Sequence, residues 1–251
     1  MSSSSLLIEL DSIDSTNNYA MQLIDADKAQ HGLTITADSQ TGGKGQRGRT
    51  WLDTPGQSLL MSIIAIPRHS LRHQFQFSAA IAVAIANVLQ NMGEDWQVHI
   101  KWPNDIIVND KKAGGILIEN VLRGSDWAHS VIGLGLNINQ QHLPDEVPHA
   151  TSLRIASGSE FNKPWLRDRL REQILQAVEQ PLPEAAQIKA YNDLLYKHGG
   201  QQLFGDAAQS WQARILSVTA QGLLEVQLAD GSLAHYVHGQ VTWHYNQHPV
   251  I

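Results

Sequence analysis

The residues best suited to chemistry read Gly42-Gly43-Lys44-Gly45-Gln46-Arg47-Gly48-Arg49-Thr50-Trp51. Four glycines and three cations fall within positions 42–49 of a chain whose formal charge is −6. Glycines let a backbone approach a ligand and turn its N–H groups inward, while lysine and arginine supply positive charge for phosphate or carboxylate. The segment therefore suits an anion that must be enclosed, and Trp51 offers a ring on which a base could stack. It is not a P-loop, because the G-x-x-x-x-G-K-[ST] pattern is absent. The plain alternative is a solvated flexible loop with incidental charge.

Three further groups carry weaker signals. In Lys101-Trp102-Pro103-Asn104-Asp105 the Pro-Asn-Asp portion is ordinary turn chemistry, and the tryptophan suits a core. Lys112-Ala113-Gly114-Gly115-Ile116 opens a strand whose first residues lack bulk, leaving space for a ligand against the backbone. A solvated lysine at a strand start is the competing reading. Gly133-Leu134-Gly135-Leu136-Asn137 lacks the third glycine and the strand-to-helix context of a dinucleotide fingerprint, so it reads as a tightly packed strand with a polar tip.

These groups need a scaffold, and 251 residues with 42% apolar and 17% charged content are enough for a folded globular one. The absence of cysteine excludes disulfide scaffolds, zinc–thiolate sites, iron–sulfur clusters and thiol catalysis, and fits a cytoplasmic protein. An acidic balance argues against non-specific nucleic-acid binding and against docking on an anionic membrane. No secretory signal is visible from Met1 to Ile8. The longest apolar stretch, Phe75 to Leu89, falls short of the roughly 18–20 residues of a membrane span and reads as a buried helix.

Spacing predicts a helix opening at Ser15-Thr16-Asn17 with Asp14 or Ser15 as cap, and a strand over Leu33–Ala37. A loop follows from Ser39 to Gly56, then a strand over Ser58–Ile66 and a helix over 72–92. Strands are expected at Val98–Trp102, from Ile106 through an Asn109-Asp110 turn into Ile116–Glu119, and at Ala128–Asn139; Pro103 places a kink at Trp102–Asp105. Helices are expected over 164–180 and 184–197, separated by Pro181 and Pro183. After His198-Gly199-Gly200, β-rich runs over 213–219, 223–228, 234–237 and 241–245 have the spacing of a small antiparallel barrel. The expected division is 1–200 and 201–251. No internal repeat appears, and the only low-complexity tract is the initial serines.

Taken in order, Ser15-Thr16-Asn17, Gln40 with the glycine-basic segment ending at Trp51, Lys101–Asp105, Lys112–Leu117 and Gly133–Asn137 resemble the biotin protein ligases, the biotin–[acetyl-CoA-carboxylase] ligases of bacteria. The match spans residues 10–140. The resemblance implies an α+β fold: a mixed β-sheet flanked by helices, followed by a small SH3-like β-barrel. It implies an enzyme that joins biotin to ATP, giving biotinyl-5′-AMP and pyrophosphate. Biotin then passes to one lysine of the biotin carboxyl carrier protein of acetyl-CoA carboxylase.

By the same resemblance Lys112 is the main catalytic candidate, with Arg47 and Arg49. Biotin would meet Ser15, Thr16, Asn17, Gln40, Gly43, Lys44, Gly45, Gln46, Lys112, Gly114 and Gly115. The nucleotide would meet Arg47, Arg49, Trp51, Asn104, Asp105, Lys112 and Asn137. Mg²⁺ would accompany ATP, with Asp105 touching it through water, and no direct metal ligand is assigned. The glycines leave segment 42–56 few constraints, so it is expected to order over bound ligand.

Two departures bear on this. The family pattern is Gly-Arg-Gly-Arg-x-Gly-Arg-x-Trp, and here Lys44 and Gln46 stand at its first two arginines. Lysine keeps the charge without the planar fork, and glutamine loses the charge, so the adenylate is expected to be held less tightly. Some members also carry an N-terminal helix-turn-helix that represses genes, whereas this chain reaches Ser-Thr-Asn by residue 15. No operator binding is expected. A lipoate or octanoate ligase, a non-catalytic biotin- or carrier-binding module and a single-stranded nucleic-acid binder are the rival readings; the oligomeric state is left open.

Overall fold

The computed structural model describes residues 6–93 and 95–245; the initial serine tract lies outside the described residues. The chain begins with β1 (Leu7–Ile13), α1 (Thr16–Asp25), β2 (Thr34–Gln40) and β3 (Ser58–Ala65). After a 3-10 turn at Leu71–His73 come α2 (Gln74–Gln90), β4 (Val98–Lys101), β5 (Asp105–Val108), β6 (Lys111–Arg123) and β7 (Asp126–Asn137). Then follow α3 (Leu153–Ser157), α4 (Lys163–Glu179) and α5 (Glu184–Asp193). The last strands are β8 (Gln201–Gly205), β9 (Ser210–Val218), β10 (Leu224–Leu228), β11 (Leu233–Tyr236) and β12 (Thr242–Trp243).

The first seven strands form one mixed sheet in the order β1-β2-β3-β7-β6-β5-β4, with β1 and β2 parallel and the other pairs antiparallel. All eight residues of β3 are buried, which marks a strand covered on both faces. Ile64 packs with Ala20 and Ile24 of α1, while Leu59, Met61 and Ile63 join the cluster that contains α2. Helix α4 supplies Leu166, Leu170, Ile174 and Val178, one stripe at steps of four on an otherwise charged helix. Burying each of these contributes about 2 kcal/mol. Among the described residues no helix is long and apolar enough to cross a membrane.

The last five strands form a separate antiparallel sheet, β11-β10-β9-β8-β12. These strands stand where the small β-barrel was expected; among the described residues the pairing shows an antiparallel sheet, with no ladder joining its outer strands. The apolar cluster under the first sheet runs on through Tyr191 and Tyr196 to Phe204, Ile215 and Val226 of the second, packing the two sheets together.

Several boundaries shift. β2 runs on to Gln40 because the end of β1 pairs with it, Ile13 opposite Gln40, so Ser39 and Gln40 belong to a strand rather than to the loop. The last helix stops at Asp193, where the Leu194 carbonyl and the Tyr196 N–H turn instead to Ile100. β8 and α3 have no counterpart in the sequence reading. Both are short and weakly patterned.

Candidate active site

The cavity face of the first sheet is set by register. Ser62 of β3 lies opposite Gly133 of β7, which lies opposite Leu117 of β6; one step along, Leu60, Gly135 and Gly115 form a parallel row. The central strand thus offers glycine twice, and each opening is filled from outside the sheet. A Cβ on Gly133 would come within 2.3 Å of Asn17 Oδ1, and one on Gly135 within 2.6 Å of the Trp51 ring. The strand with tight packing and a polar tip read from Gly133–Asn137 is this floor.

Above it lies a cavity of about 420 Å³. Ser15, Thr16, Asn17, Gln40, Lys44, Gly45, Gln46, Arg47, Arg49, Trp51, Asn104, Asp105, Lys112 and Gly115 line it. Gly43 and Gly114 do not line it but shape its walls: a Cβ at Gly43 would meet the Trp51 carbonyl at 2.7 Å, and one at Gly114 the Gly135 carbonyl at 2.9 Å. Asn137 belongs to a smaller adjoining chamber of about 160 Å³, with Asp53, Gln140, Leu143 and Val147. Trp51 and Lys112 line both spaces.

At one end of the larger cavity α1 delivers Ser15, Thr16 and Asn17, all buried. Ser15 caps the helix, its Oγ accepting from the Asn18 N–H, so capping and pocket lining coexist in one residue. Gln40 Oε1 accepts from the Thr16 N–H at 2.8 Å and lies 3.0 Å from Thr16 Oγ1. Behind them Ser62, fully buried, reaches Thr16 Oγ1 at 2.7 Å and Asn17 Oδ1 at 2.6 Å. Asn17 Nδ2 donates to Glu119 Oε2 at 2.7 Å. The sequence reading missed Ser62 and Glu119, although a serine inside a strand of buried apolar residues is a signal that could have found the first.

The other end is charged. Lys44, Arg47, Arg49, Lys101 and Lys112 all line it, against the single carboxylate of Asp105. The glycine-basic segment forms a small hairpin, with Gly45 N–H donating to the Arg49 carbonyl and Trp51 N–H to that of Gly43. At its tip Arg47 adopts a left-handed backbone with φ of 56°. Its guanidinium donates to the His238 carbonyl at 2.8 Å, so it is bonded to the second sheet's β11–β12 turn. A Cβ on Gly239 of that turn, at φ of 82°, would coincide with the guanidinium.

Lys112 sits where β5 and β6 slip register: Ile106 faces Gly114 but Ile107 faces Lys112, leaving Ala113 as the extra residue of a bulge. In a regular strand residues 112 and 115 would point to opposite faces. Here a Cβ on Gly115 would lie 3.7 Å from Lys112 Nζ, so both face the cavity. Lys112 Nζ pairs with Asp105 Oδ1 at 2.5 Å, and the Tyr245 hydroxyl donates to Asp105 Oδ2 at 2.9 Å. Asn104 ties its turn to the neighbouring strand by donating Nδ2 to the Ile116 carbonyl.

Lys101, only 7% exposed, lies among rings of the second sheet. Its Nζ is 3.9 Å from the Tyr245 ring centre and 5.0 Å from that of Trp243, and donates to the Trp243 carbonyl at 3.2 Å. Burial pushes its pKa down to about 8; Asp105 opposes the shift, and Lys112 and Arg49 add to it. Burial likewise raises the Tyr245 phenol, with Asp105 adding. In the smaller chamber burial raises the Asp53 carboxyl. Trp51 Nε1, Asp53 Oδ2 and Gln140 Oε1 are buried there with no hydrogen-bond partner among the described residues. No group of three or more His, Cys, Asp or Glu that could hold a metal occurs among the described residues.

Comparison with known proteins agrees with this geometry. Residues 9–137 match the model of the biotin/lipoate A/B protein ligase family. The bifunctional ligase/repressor BirA of Bacillus spizizenii is 38% identical over 160 residues, 62% of this chain and 49% of that protein. The biotin–[acetyl-CoA-carboxylase] ligase of Paracoccus denitrificans is 31% identical over 133 residues, 53% of each. The chain thus spans about half the length of the curated relatives it matches. The biotin protein ligase of Aquifex aeolicus, solved with biotin and ATP, superposes with a TM-score of 0.76 at 22% identity over 96% of this chain and 99% of that one, which shows a shared fold. With the motif order, the glycine-floored cavity and a family match over half its length, the chain belongs to the biotin/lipoate A/B protein ligase family.

Proposed function

We propose that the chain is an ATP-dependent biotin ligase acting in the cytoplasm, with residues 1–200 as the catalytic unit and 201–251 as a second unit that closes its charged end. The observation that carries this reading is the position of Lys112, which lines both the cavity with the polar end and the smaller chamber. A carboxylate anchored by its head group and a nucleotide stacked against Trp51 would meet at that ammonium.

In the first step a biotin carboxylate oxygen attacks the α-phosphorus of ATP. The bond from that phosphorus to the β-phosphate oxygen breaks, and pyrophosphate leaves with the electron pair. Two unit charges about 4 Å apart repel by about 4 kcal/mol at an effective dielectric near 20. Lys112, Arg49 and Lys44 offset that repulsion and stabilise the charge of the crowded phosphorus. In the second step the amine of a carrier lysine attacks the acyl carbon; AMP departs and the amine proton passes to solvent. The expected carrier is the biotin carboxyl carrier protein of acetyl-CoA carboxylase.

The head end favours biotin over lipoate. Thr16, Asn17 and Gln40 can bond a ureido group, whereas an apolar dithiolane would leave buried polar atoms facing carbon. The unpartnered oxygens of Asp53 and Gln140 beside apolar walls suit the amino edge of a purine stacked on Trp51. Mg²⁺ would enter with ATP and shield phosphate charge. Asp105, engaged by Lys112 and Tyr245, suits contact with an ion held mostly by phosphate and water.

The test is incubation with ATP, Mg²⁺, a biotin carrier domain and either biotin or lipoate, read by mass spectrometry. One biotinyl addition on one lysine is expected, with none from lipoate and a far slower addition in Lys112→Ala. Lipoyl addition, or tight biotin binding without any transfer, would overturn the proposal.

A further inference from the structure

Four oxygens form a chain at the head end: Gln40 Oε1, Thr16 Oγ1, Ser62 Oγ and Asn17 Oδ1, separated by 3.0, 2.7 and 2.6 Å. Each of these three gaps needs a hydrogen. Only Thr16 and Ser62 carry one, because an amide oxygen accepts and never donates. Both terminal amides are fixed in orientation. Gln40 must present oxygen, since the same atom accepts the Thr16 backbone N–H at 2.8 Å. Asn17 must present oxygen to Ser62, since its nitrogen is taken by Glu119 Oε2 at 2.7 Å and points toward the Leu117 carbonyl at 3.4 Å. The row is one hydrogen short, and no gap is wide enough for water.

We propose that Glu119 is a positioning residue that determines specificity: by holding the Asn17 amide it keeps this row one hydrogen short, and so selects a ligand head that brings an N–H donor. The inference rests on the biotin reading and deepens it. Thr16, Asn17 and Gln40 line the cavity, whereas Ser62 is sealed behind them. If both hydroxyl hydrogens point toward Asn17, the bare gap lies between Gln40 and Thr16, where both oxygens border the cavity. One ligand N–H directed into that gap is accepted by both. A head group with only acceptors or carbon there leaves two lone pairs facing each other in a buried site, and such a site rejects it strongly. Glu119 does not border the cavity and acts only through Asn17. A neutral amide at 119 could donate to Asn17 Oδ1, letting Asn17 rotate and give its own N–H to Ser62, which supplies the missing hydrogen from the protein.

The experiment compares calorimetric binding of biotin with that of its two isosteric cyclic carbamates, each with one ureido N–H replaced by a ring oxygen. The wild-type chain is expected to bind biotin roughly a hundredfold tighter than the poorer carbamate. In Glu119→Gln the ratio should narrow to about tenfold or less, with the KM for biotin rising about tenfold and kcat changing less than twofold. Ser62→Ala, which removes one oxygen of the row and lets Thr16 donate to Gln40, should narrow the ratio in the same way. Equal wild-type affinity for biotin and both carbamates overturns the inference, as does an unchanged ratio in a folded Glu119→Gln or Ser62→Ala. Failure of the wild-type chain to bind biotin at all would overturn the biotin reading itself.

Discussion

At the head end of the cavity Thr16, Asn17, Gln40 and Ser62, carried by α1, β2 and β3, bond to one another with Glu119 of β6 behind Asn17, whereas the charged end is assembled from a hairpin tip, a strand bulge and turns of a second sheet. Arg47 bonds to His238, Lys101 to Trp243 and Tyr245 to Asp105, three contacts between residues far apart in sequence. Packed elements hold the neutral groups of the head end at fixed distances. The cations repel one another, so they need partners outside their own segment, and the second sheet provides carbonyls and rings. Neutral contacts therefore gather on elements of the first sheet, and charged ones where the two sheets meet.

Replacing Lys112 is the severest way to break that contrast. Lys112→Ala should slow single-turnover pyrophosphate release by about a hundredfold to a thousandfold, the range for losing one preorganised transition-state donor. Biotin binding without ATP should change far less. An equal loss in both would mean that the two ends are not separate.

Lys101 sharpens the comparison through stability. Its pKa falls from an ordinary value of 10.5 to about 8 on folding, so between these values the unfolded chain keeps a proton that the folded chain has lost. Stability contributed by this group therefore rises with pH across that window, by about 3 kcal/mol in total, and is flat below it. Urea denaturation of wild type and Lys101→Met at pH 7.5 and 9.5 should show the wild type gaining on the variant as pH rises. Parallel curves would show that the second sheet's rings and carbonyl fully replace water for this ammonium.

The smallest change tests Gln46, which lines the charged end without a charge. Gln46→Arg should slow release of biotinyl-AMP by a few-fold, since one charge-assisted contact is added at an exposed tip. Stopped dilution into excess unlabelled biotin and ATP would measure it, and equal release rates would remove the idea that this position tunes retention.

Much of the fold was legible locally. The α1 start at Ser15, the buried α2 and the stripe of α4 follow from capping and spacing, which depend on neighbours within a turn or two. Asn137 was legible as a polar strand tip, but its place in the smaller chamber depends on Thr151, whose carbonyl takes its amide, and on Gln140. Tyr245, Trp243 and His238 gave no signal as site residues. Their role comes from where the second sheet packs.

Residue types alone marked the 42–51 segment as suited to an anion and Lys112 as opening a strand with room beside it, because glycine, charge and turn propensity are properties of short stretches. Tertiary structure decided the rest. The bulge at Ala113 turns Lys112 toward the cavity, the β3–β7–β6 register lines up two glycine rows, and the second sheet completes the charged end. Each of these depends on pairing between segments tens of residues apart, whose alignment no local pattern records.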